Sequence, residues 1–176
     1  MEKAVSLPAA RPLSIQNPYG LMGLVYDCDT KFLYATSLAG SDKTHETGRI
    51  FILKTDNKTV SIVDTLPNID AMGIGILKIG NEKRLFYGKT RSSDIFSVAI
   101  SAENGKFVGA PRRELSLEGL GVRGDDRAKK IRFNEKNEMT VKGISFFYNL
   151  SNPANNLVET DYTFRFVAQR GWVLVN

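Results

Sequence analysis

The sequence predicts an all-β fold made of consecutive antiparallel meanders. Short apolar runs alternate with turn residues, a pattern of four such runs occurs twice, and no window shows the sustained 3.6-residue apolar period of a long helix. The repeated units span about residues 21–64, 73–109 and, less regularly, 130–176. We therefore expect two or three blade-like four-stranded units with little helix, packed as twisted sheets in an incomplete propeller or a sandwich.

Turn residues divide each unit into strands. The predicted strands are 23–26, 31–35, 49–53 and 59–63 in the first unit, 75–77, 84–88, 94–100 and 106–109 in the second, and 131–133, 139–141, 162–167 and 172–175 in the third. The Asn104-Gly105 pair is typical of a tight hairpin. Tyr162, Phe164 and Phe166 alternate with polar residues, so this aromatic face is predicted to lie in the core.

Two local patterns could depart from a regular strand. A short helical turn is expected at most once, either at 116–120 or at 125–130, where two aspartates precede Arg-Ala-Lys-Lys and match the helix dipole. Gly73 and Gly75 are followed by a strand, whereas a phosphate-binding loop needs a helix there. These glycines are instead predicted to permit close sheet packing or a bulge.

Composition indicates one globular domain. The chain has 176 residues, of which 42% are hydrophobic, and this length suits a single β-rich domain over 21–176 after an extended N-terminal segment, 1–20. No apolar run approaches the ~20 residues that cross a bilayer, and the N-terminal segment lacks the apolar stretch of a signal peptide. Cys28 is the only cysteine, so no internal disulfide can form. The expected location is therefore the cytoplasm, without a membrane partner.

The charge balance points to a basic surface. Lys and Arg total 24 against 19 for Asp and Glu, a net charge of +5, and basic residues are densest over 112–136. Only Phe133 offers an aromatic ring in that window, so a nucleic-acid partner is disfavoured. The region is instead a candidate contact surface for a protein partner. Its candidate residues are Arg112, Arg113, Arg123, Arg127, Lys129 and Lys130.

The residues that could perform chemistry have simpler interpretations. His45 is the only histidine and lies in a polar connection between strands. No serine of the chain lies in a Gly-x-Ser-x-Gly motif, for which His45 could act as the base. Asp27 and Asp29 could place two oxygens on a cation, but an Asx turn is the favoured interpretation. The two aspartates at 125–126 are likewise interpreted as turn residues rather than metal ligands. We therefore predict no catalytic residue, no metal site and no cofactor, and a protein that is not an enzyme.

Two segments resemble known proteins. The strand 84–87, a polar loop and the strand 94–98, with their counterparts in the first unit, resemble blades of the β-propeller superfamily in its TolB-like and lactonase-like forms over about half of the chain. The lactonase-like form implies a divalent ion held by carboxylates and Asn side chains near the propeller axis. The C-terminal hairpin, 163–166 and 171–175, is similar to that of small bacterial proteins that include immunity proteins.

Three functional hypotheses follow. The first is a non-enzymatic protein that binds one protein partner, most concretely a bacterial immunity protein that blocks a toxin domain by steric occlusion. The second is a lactonase-like or hydrolase-type metal-dependent enzyme that uses Asp27, Asp29 and His45 around a metal ion. The third is a structural subunit that completes a propeller or sandwich by self-association.

Overall fold

The computed structural model describes residues 5–9, 11–12, 17–56, 59–148 and 158–175. These residues form three four-stranded antiparallel sheets and no helix, which confirms the predicted all-β meanders. Sheet I contains β1 (Leu21–Asp27), β2 (Phe32–Ser37), β3 (Arg49–Asp56) and β4 (Thr59–Pro67). Sheet II contains β5 (Ala71–Ile79), β6 (Glu82–Lys89), β7 (Asp94–Ile100) and β8 (Phe107–Ser116). Sheet III contains β9 (Arg127–Phe133), β10 (Met139–Ile144), β11 (Thr160–Val167) and β12 (Gly171–Leu174).

Each sheet begins at one edge and ends at the other, because its strands pair in chain order. The first strands lie side by side: β1 packs on β5, and β5 packs on β9. Sheet II is the middle layer. One of its faces packs on sheet I and the other packs on sheet III. This arrangement places the free edges of β1, β5 and β9 on the same side of the molecule.

Strand alternation sends side chains into two separate cores. Between sheets I and II, the largest buried side chains are Tyr34, Ile50, Ile52, Leu85 and Tyr87. Between sheets II and III, they include Phe86, Ile95, Leu117, Met139 and Phe164. Leu85 and Phe86 are neighbours in β6 yet enter different cores, as a strand buried on both faces requires. The central sheet therefore depends on both of its neighbours.

Glycines let the first strands approach each other at backbone distance. A Cβ atom at Gly23 would lie 2.4 Å from the Met72 carbonyl oxygen, and one at Gly73 would lie 2.6 Å from that of Ala128. The predicted close sheet packing at Gly73 is thus confirmed. The pairing of β5 with β6 also shifts register between residues 71 and 74, so the bulge is present as well.

The outer faces of sheets I and III differ. On sheet I, the described part of the N-terminal segment lies against the sheet, where Leu7 packs on Ala35, Phe51 and Leu53. The outer face of sheet III is mostly polar, with exposed or half-buried residues at 130, 132, 140, 142, 161, 163 and 165, and it also carries Val167 and Val173 near its β12 edge. A polar face of this kind is suited to solvent rather than to a fourth packed sheet.

Three local expectations need correction. No helical turn forms at 125–130, because Ala128 and Ile131 are buried in the core while β9 pairs with β10, and this pairing outweighs the local helix preference. Residues 116–120 form the end of β8 and a turn. Phe166 is 40% exposed although Tyr162 and Phe164 are buried, because it lies near the end of β11, where its ring contacts Trp172.

We predict that Phe164→Ala lowers the free energy of unfolding by about 3 to 5 kcal/mol, because it leaves a cavity in the core between sheets II and III. Urea denaturation followed by tryptophan fluorescence measures this loss. Thr163→Ala is the matched control, since Thr163 lies on the opposite face of β11 and should change stability by less than about 0.5 kcal/mol. Equal losses in the two variants would contradict the assigned face.

We also predict that Gly73→Ala is destabilising by about 1 to 3 kcal/mol, because its methyl group meets the backbone of β9 rather than a side chain that could move. Gly20→Ala is the control, since a Cβ atom there meets nothing within 4 Å. The same denaturation experiment compares them. An unchanged midpoint for Gly73→Ala would show that the first strands are not in backbone contact.

Candidate binding groove along the first strands

A groove of about 880 Å³ runs along the inner edges of the three sheets. Its lining includes the unbroken runs 22–25 of β1, 72–76 of β5 and 129–133 of β9. Successive side chains of a strand point to opposite faces, so a continuous run can line one groove only if the strand's edge forms its wall. We call this feature the first-strand groove.

The groove walls carry backbone groups that no described strand pairs with. Among the described residues, strands β1, β5 and β9 each pair with a single neighbour, namely β2, β6 and β10. Their other edges face the groove. An open edge presents a row of N–H and C=O groups that can hydrogen-bond an extended segment. Residues 71–75 of β5 are buried, so the accessible edges are those of β1 and β9.

Aromatic rings close the groove near the N-terminal ends of the first strands. The ring centroids of Tyr19, just before β1, and Phe146, just after β10, are 5.4 Å apart. Phe146 also contacts Tyr148 edge to face, at 5.2 Å. The segment before β1 and the segment after β10 are therefore in contact at this end. The apolar side chains of Met22 and Leu24 line the β1 wall, and Leu24 is 54% exposed.

The β9 wall is basic. Four basic side chains and one carboxylate line the groove: Lys129, Lys130, Arg132, Lys142 and Glu159. Glu159 lies 2.8 Å from the Lys129 Nζ and 3.1 Å from the Lys142 Nζ, and these two bonds hold its pKa below the usual value. Lys130 and Arg132 have no ion pair with any residue that the structure describes. The wall therefore has two cations available to a partner.

The carboxylate of Asp70, which is buried, joins all three sheets beside this groove. It accepts hydrogen bonds from the Ser41 hydroxyl (2.5 Å) and the Gly48 amide (2.9 Å) of sheet I. Arg91, which follows β6, donates its Nε at 3.0 Å, and Tyr148, which follows β10, donates its hydroxyl at 2.5 Å. Burial and this bond to Asp70 raise the pKa of Tyr148, so the phenol remains a donor. The contacts fix the loops around the groove.

A second buried carboxylate, that of Asp126, immediately precedes β9, just as Asp70 immediately precedes β5. Asp126 accepts from the Arg123 Nε at 2.5 Å and from the Tyr162 hydroxyl at 2.7 Å. Burial alone would raise the pKa of Asp126, but these hydrogen bonds lower it below its usual value. Burial and the same bond raise the pKa of Tyr162 to about 12. Arg123 is therefore a structural residue that anchors the loop before sheet III.

The two aspartates of the metal-dependent hypothesis have other partners. The Asp29 amide donates to the Asp27 carboxylate at 3.2 Å, which is the predicted Asx turn. Both carboxylates also accept from the Lys83 Nζ of β6, at 2.8 and 2.6 Å, a contact that the sequence did not predict. Burial alone would raise the pKa of Asp27, but hydrogen bonds led by that from Lys83 hold it below its usual value. The cluster links sheet I to sheet II.

His45 lies far along the sheet from these aspartates. Asp27 pairs with Phe32 at the start of β2, whereas the loop that carries His45 follows Ser37 at its end. The His45 ring is exposed and lies 3.0 Å from the Asp42 carboxylate. The three residues of the metal-dependent hypothesis are thus not brought together. In the described ranges, no group of three or more His, Cys, Asp and Glu residues is placed to hold a metal ion.

The six basic residues proposed for partner binding occupy different places. Arg112 and Arg113 lie on β8, at the far edge of sheet II, paired with Glu114 and Asp94. Arg123 binds Asp126, as described above. The remaining candidates belong to β9. Arg127 donates to the Thr90 carbonyl and the Ser93 hydroxyl, while Lys129 and Lys130 line the groove.

Sequence reasoning missed other residues of the groove, notably Tyr19, Leu24, Arg132 and Lys142. Arg132 lies inside the basic region, so its charge was visible in the sequence. Lys142 lies beside Lys129 only because β9 and β10 pair, and Tyr19 contacts Phe146 only because the fold brings the segment before β1 to the segment after β10. These neighbours are distant in sequence, so composition and spacing contain no signal for them.

We predict that Arg123→Ala lowers the free energy of unfolding by about 3 kcal/mol at pH 6, because it leaves the buried Asp126 carboxylate without its cation. Asp161→Ala, which removes an exposed pair with Lys142, should cost less than about 1 kcal/mol. Because Asp126 has a lowered pKa when folded, its contribution is complete above the unfolded value near ~4 and is lost as pH falls through the folded value. Urea titrations at pH 6 and pH 3 should therefore show the Arg123 difference shrinking in acid. A constant difference would contradict this role.

The part of the chain that the structure describes contains no helix with the length and apolar character needed to cross a bilayer. The chain matches no known protein-family model and no curated protein. The functional interpretation therefore rests on the groove and the residues around it.

Proposed function

We propose that this protein is a non-enzymatic binding protein that docks one protein partner in the first-strand groove. The observation that carries the proposal is the combination found there: open edges of β1 and β9, an apolar wall and a basic wall in one concave surface. Open strand edges, exposed apolar side chains and uncompensated charge each favour contact with a polypeptide.

Contacts within the protein preorganise the groove in the absence of a partner. Glycine contacts join β1 to β5 and β5 to β9, and the Asp70 carboxylate ties the surrounding loops of all three sheets. A preorganised surface loses little conformational entropy on binding, so more of the contact energy contributes to affinity. Leu24 is the best-placed apolar anchor, because it is exposed and lines the groove.

Charge defines the class of partner. Lys130 and Arg132 have no ion pair among the described residues, and the whole chain carries a net charge of +5. Such a surface favours a partner with an acidic contact region and speeds its association at low salt. An immunity protein acting on a toxin domain is the most concrete form of this proposal. It would act by covering the toxin surface and would require an acidic region near the toxin's active site.

The enzyme alternative has less support. Asp27 and Asp29 are hydrogen-bonded to Lys83, and the described fold separates them from His45 by the length of β2. A site built from these three residues would need sheet I to rearrange. A self-associating subunit remains a third candidate, and light scattering distinguishes it because the groove would then be filled by a second copy.

The experiment compares capture of partners by three forms of the immobilised protein: wild type, the groove variant Leu24→Asp/Lys130→Glu, and the control Lys54→Glu/Lys106→Glu. Lys54 and Lys106 are exposed and do not line the groove. We expect quantitative mass spectrometry of extracts from the source cells to show a protein retained by wild type and control. The purified partner should bind the groove variant at least about tenfold more weakly, or 1.4 kcal/mol.

Binding of that purified partner to all three forms with equal affinity would show that it docks elsewhere, and the groove proposal would then be wrong. Circular dichroism of the groove variant verifies that the sheets remain folded, since both substituted side chains are exposed.

A further inference from the structure

We infer that the partner enters the groove as an extended segment that adds to the free edge of β9 as a fifth strand of sheet III, with acidic side chains at alternate positions. This inference rests on the proposed function and specifies the chemistry of the partner. It follows from the geometry of β9, the distribution of charge on its outward face and the character of the opposite wall.

The edge of β9 is long enough to bind such a segment. The strand has seven residues; Ala128 is buried against Gly73 and Gly88, and the five groove-lining residues, 129–133, extend about 16 Å at ~3.3 Å per residue. Within the part of the chain that the structure describes, the strand pairs with β10 on one side only, and the residues 129–133 line the groove along its other side. Main-chain hydrogen bonds to an open edge provide affinity without requiring a particular sequence. Side chains beside the edge then provide selectivity.

The charges on β9 match the repeat of a strand. Lys130 and Arg132 are two residues apart and pair with Lys142 and Thr140 of β10, so both point to the outer face of sheet III. They are about 7 Å apart along the strand. A paired segment has the same two-residue repeat and would place every second side chain on this face. Carboxylates at alternate positions would therefore meet both cations, and Arg132 can bind one of them through two N–H groups.

Ion pairs within the protein explain why the groove provides two cations for a partner's carboxylates rather than four. Lys129 and Lys142 share the Glu159 carboxylate, and Lys142 also lies 2.9 Å from Asp161. Their charge is already compensated within the protein. The β1 edge, in contrast, has apolar Met22 and Leu24 along its groove-lining run and no basic residue there. Acidic character is therefore expected on the side of the segment that lies beside Lys130 and Arg132.

The other side chains of the added strand would point toward β5 and β1. The groove-lining residues of these strands are glycines and apolar residues: Met22, Gly23, Leu24, Val25 and 72–76. Apolar side chains are therefore expected to alternate with the acidic ones. The inferred ligand is thus a segment of alternating acidic and apolar residues, and its backbone must be free to pair along one edge.

Fluorescence anisotropy with dye-labelled nine-residue peptides tests this inference. The first peptide alternates Glu and Val, and the second replaces every Glu by Lys. Two further peptides keep the Glu-Val sequence but carry N-methyl groups on all Glu residues or on all Val residues. Amides at alternate residues of a strand point to the same edge, so each methylated peptide blocks one edge only. We expect the Glu-Val peptide to bind at least tenfold more tightly than the Lys-Val peptide, and one methylated peptide, but not the other, to lose binding.

Charge reversal provides the matched test on the protein. In Lys130→Glu/Arg132→Glu the preference should invert, so that the Lys-Val peptide binds more tightly than the Glu-Val peptide. Lys54→Glu/Lys106→Glu, which makes the same change of net charge away from the groove, should keep the wild-type preference. An unchanged preference in the β9 variant, or equal binding of both methylated peptides, would overturn the inference.

The peptide results separate the inference from the proposed function. If no peptide binds at millimolar concentration while the purified partner still requires Leu24 and Lys130, the partner docks with a folded surface, and strand addition is wrong while the groove proposal holds. If no peptide binds and the purified partner binds the groove variant as tightly as it binds wild type, both the inference and the groove proposal are wrong.

Discussion

The buried carboxylate of Asp70 is the contact on which the arrangement of the three sheets depends. Its donors come from the β2–β3 loop, from the loop after β6 and from the segment after β10, so one side chain joins all three layers. A buried carboxylate is stable only when hydrogen bonds and an opposite charge compensate its lost hydration. Removing Arg91 or Tyr148 would therefore weaken the sheet assembly and not merely one loop.

The same need for compensation explains why most charged groups near the candidate site are structural. Asp126 binds Arg123, Asp27 binds Lys83, and Glu159 bridges two lysines. These pairs hold the loops and the sheet contacts from which the groove is formed. Lys130 and Arg132 are different, because neither of these two side chains pairs with a carboxylate among the described residues. Their charge remains available for a partner.

Backbone contact between the first strands is the second condition for the groove. Without side chains at Gly23 and Gly73, the strands approach closely, and their free edges come to line one concave surface. A bulkier residue would separate the sheets and widen the groove. The spacing that stabilises the stack therefore also shapes the surface where we propose that a partner binds, so substitutions at these glycines would affect stability and binding together.

The sequence by itself determined the strands, their order and most of the buried faces, including Phe164 and the close packing at Gly73, because alternation and turn chemistry act between near neighbours. Only the tertiary structure decided where each basic residue lies. Arg112 lies at the far edge of sheet II, Arg123 binds the buried Asp126, and Lys130 lines the groove. Strand pairing also replaced the helical turn that the local sequence favoured at 125–130, and sheet packing brought Lys83 to Asp27. These outcomes depend on strand pairing and sheet packing between distant segments, and local sequence patterns do not encode such contacts.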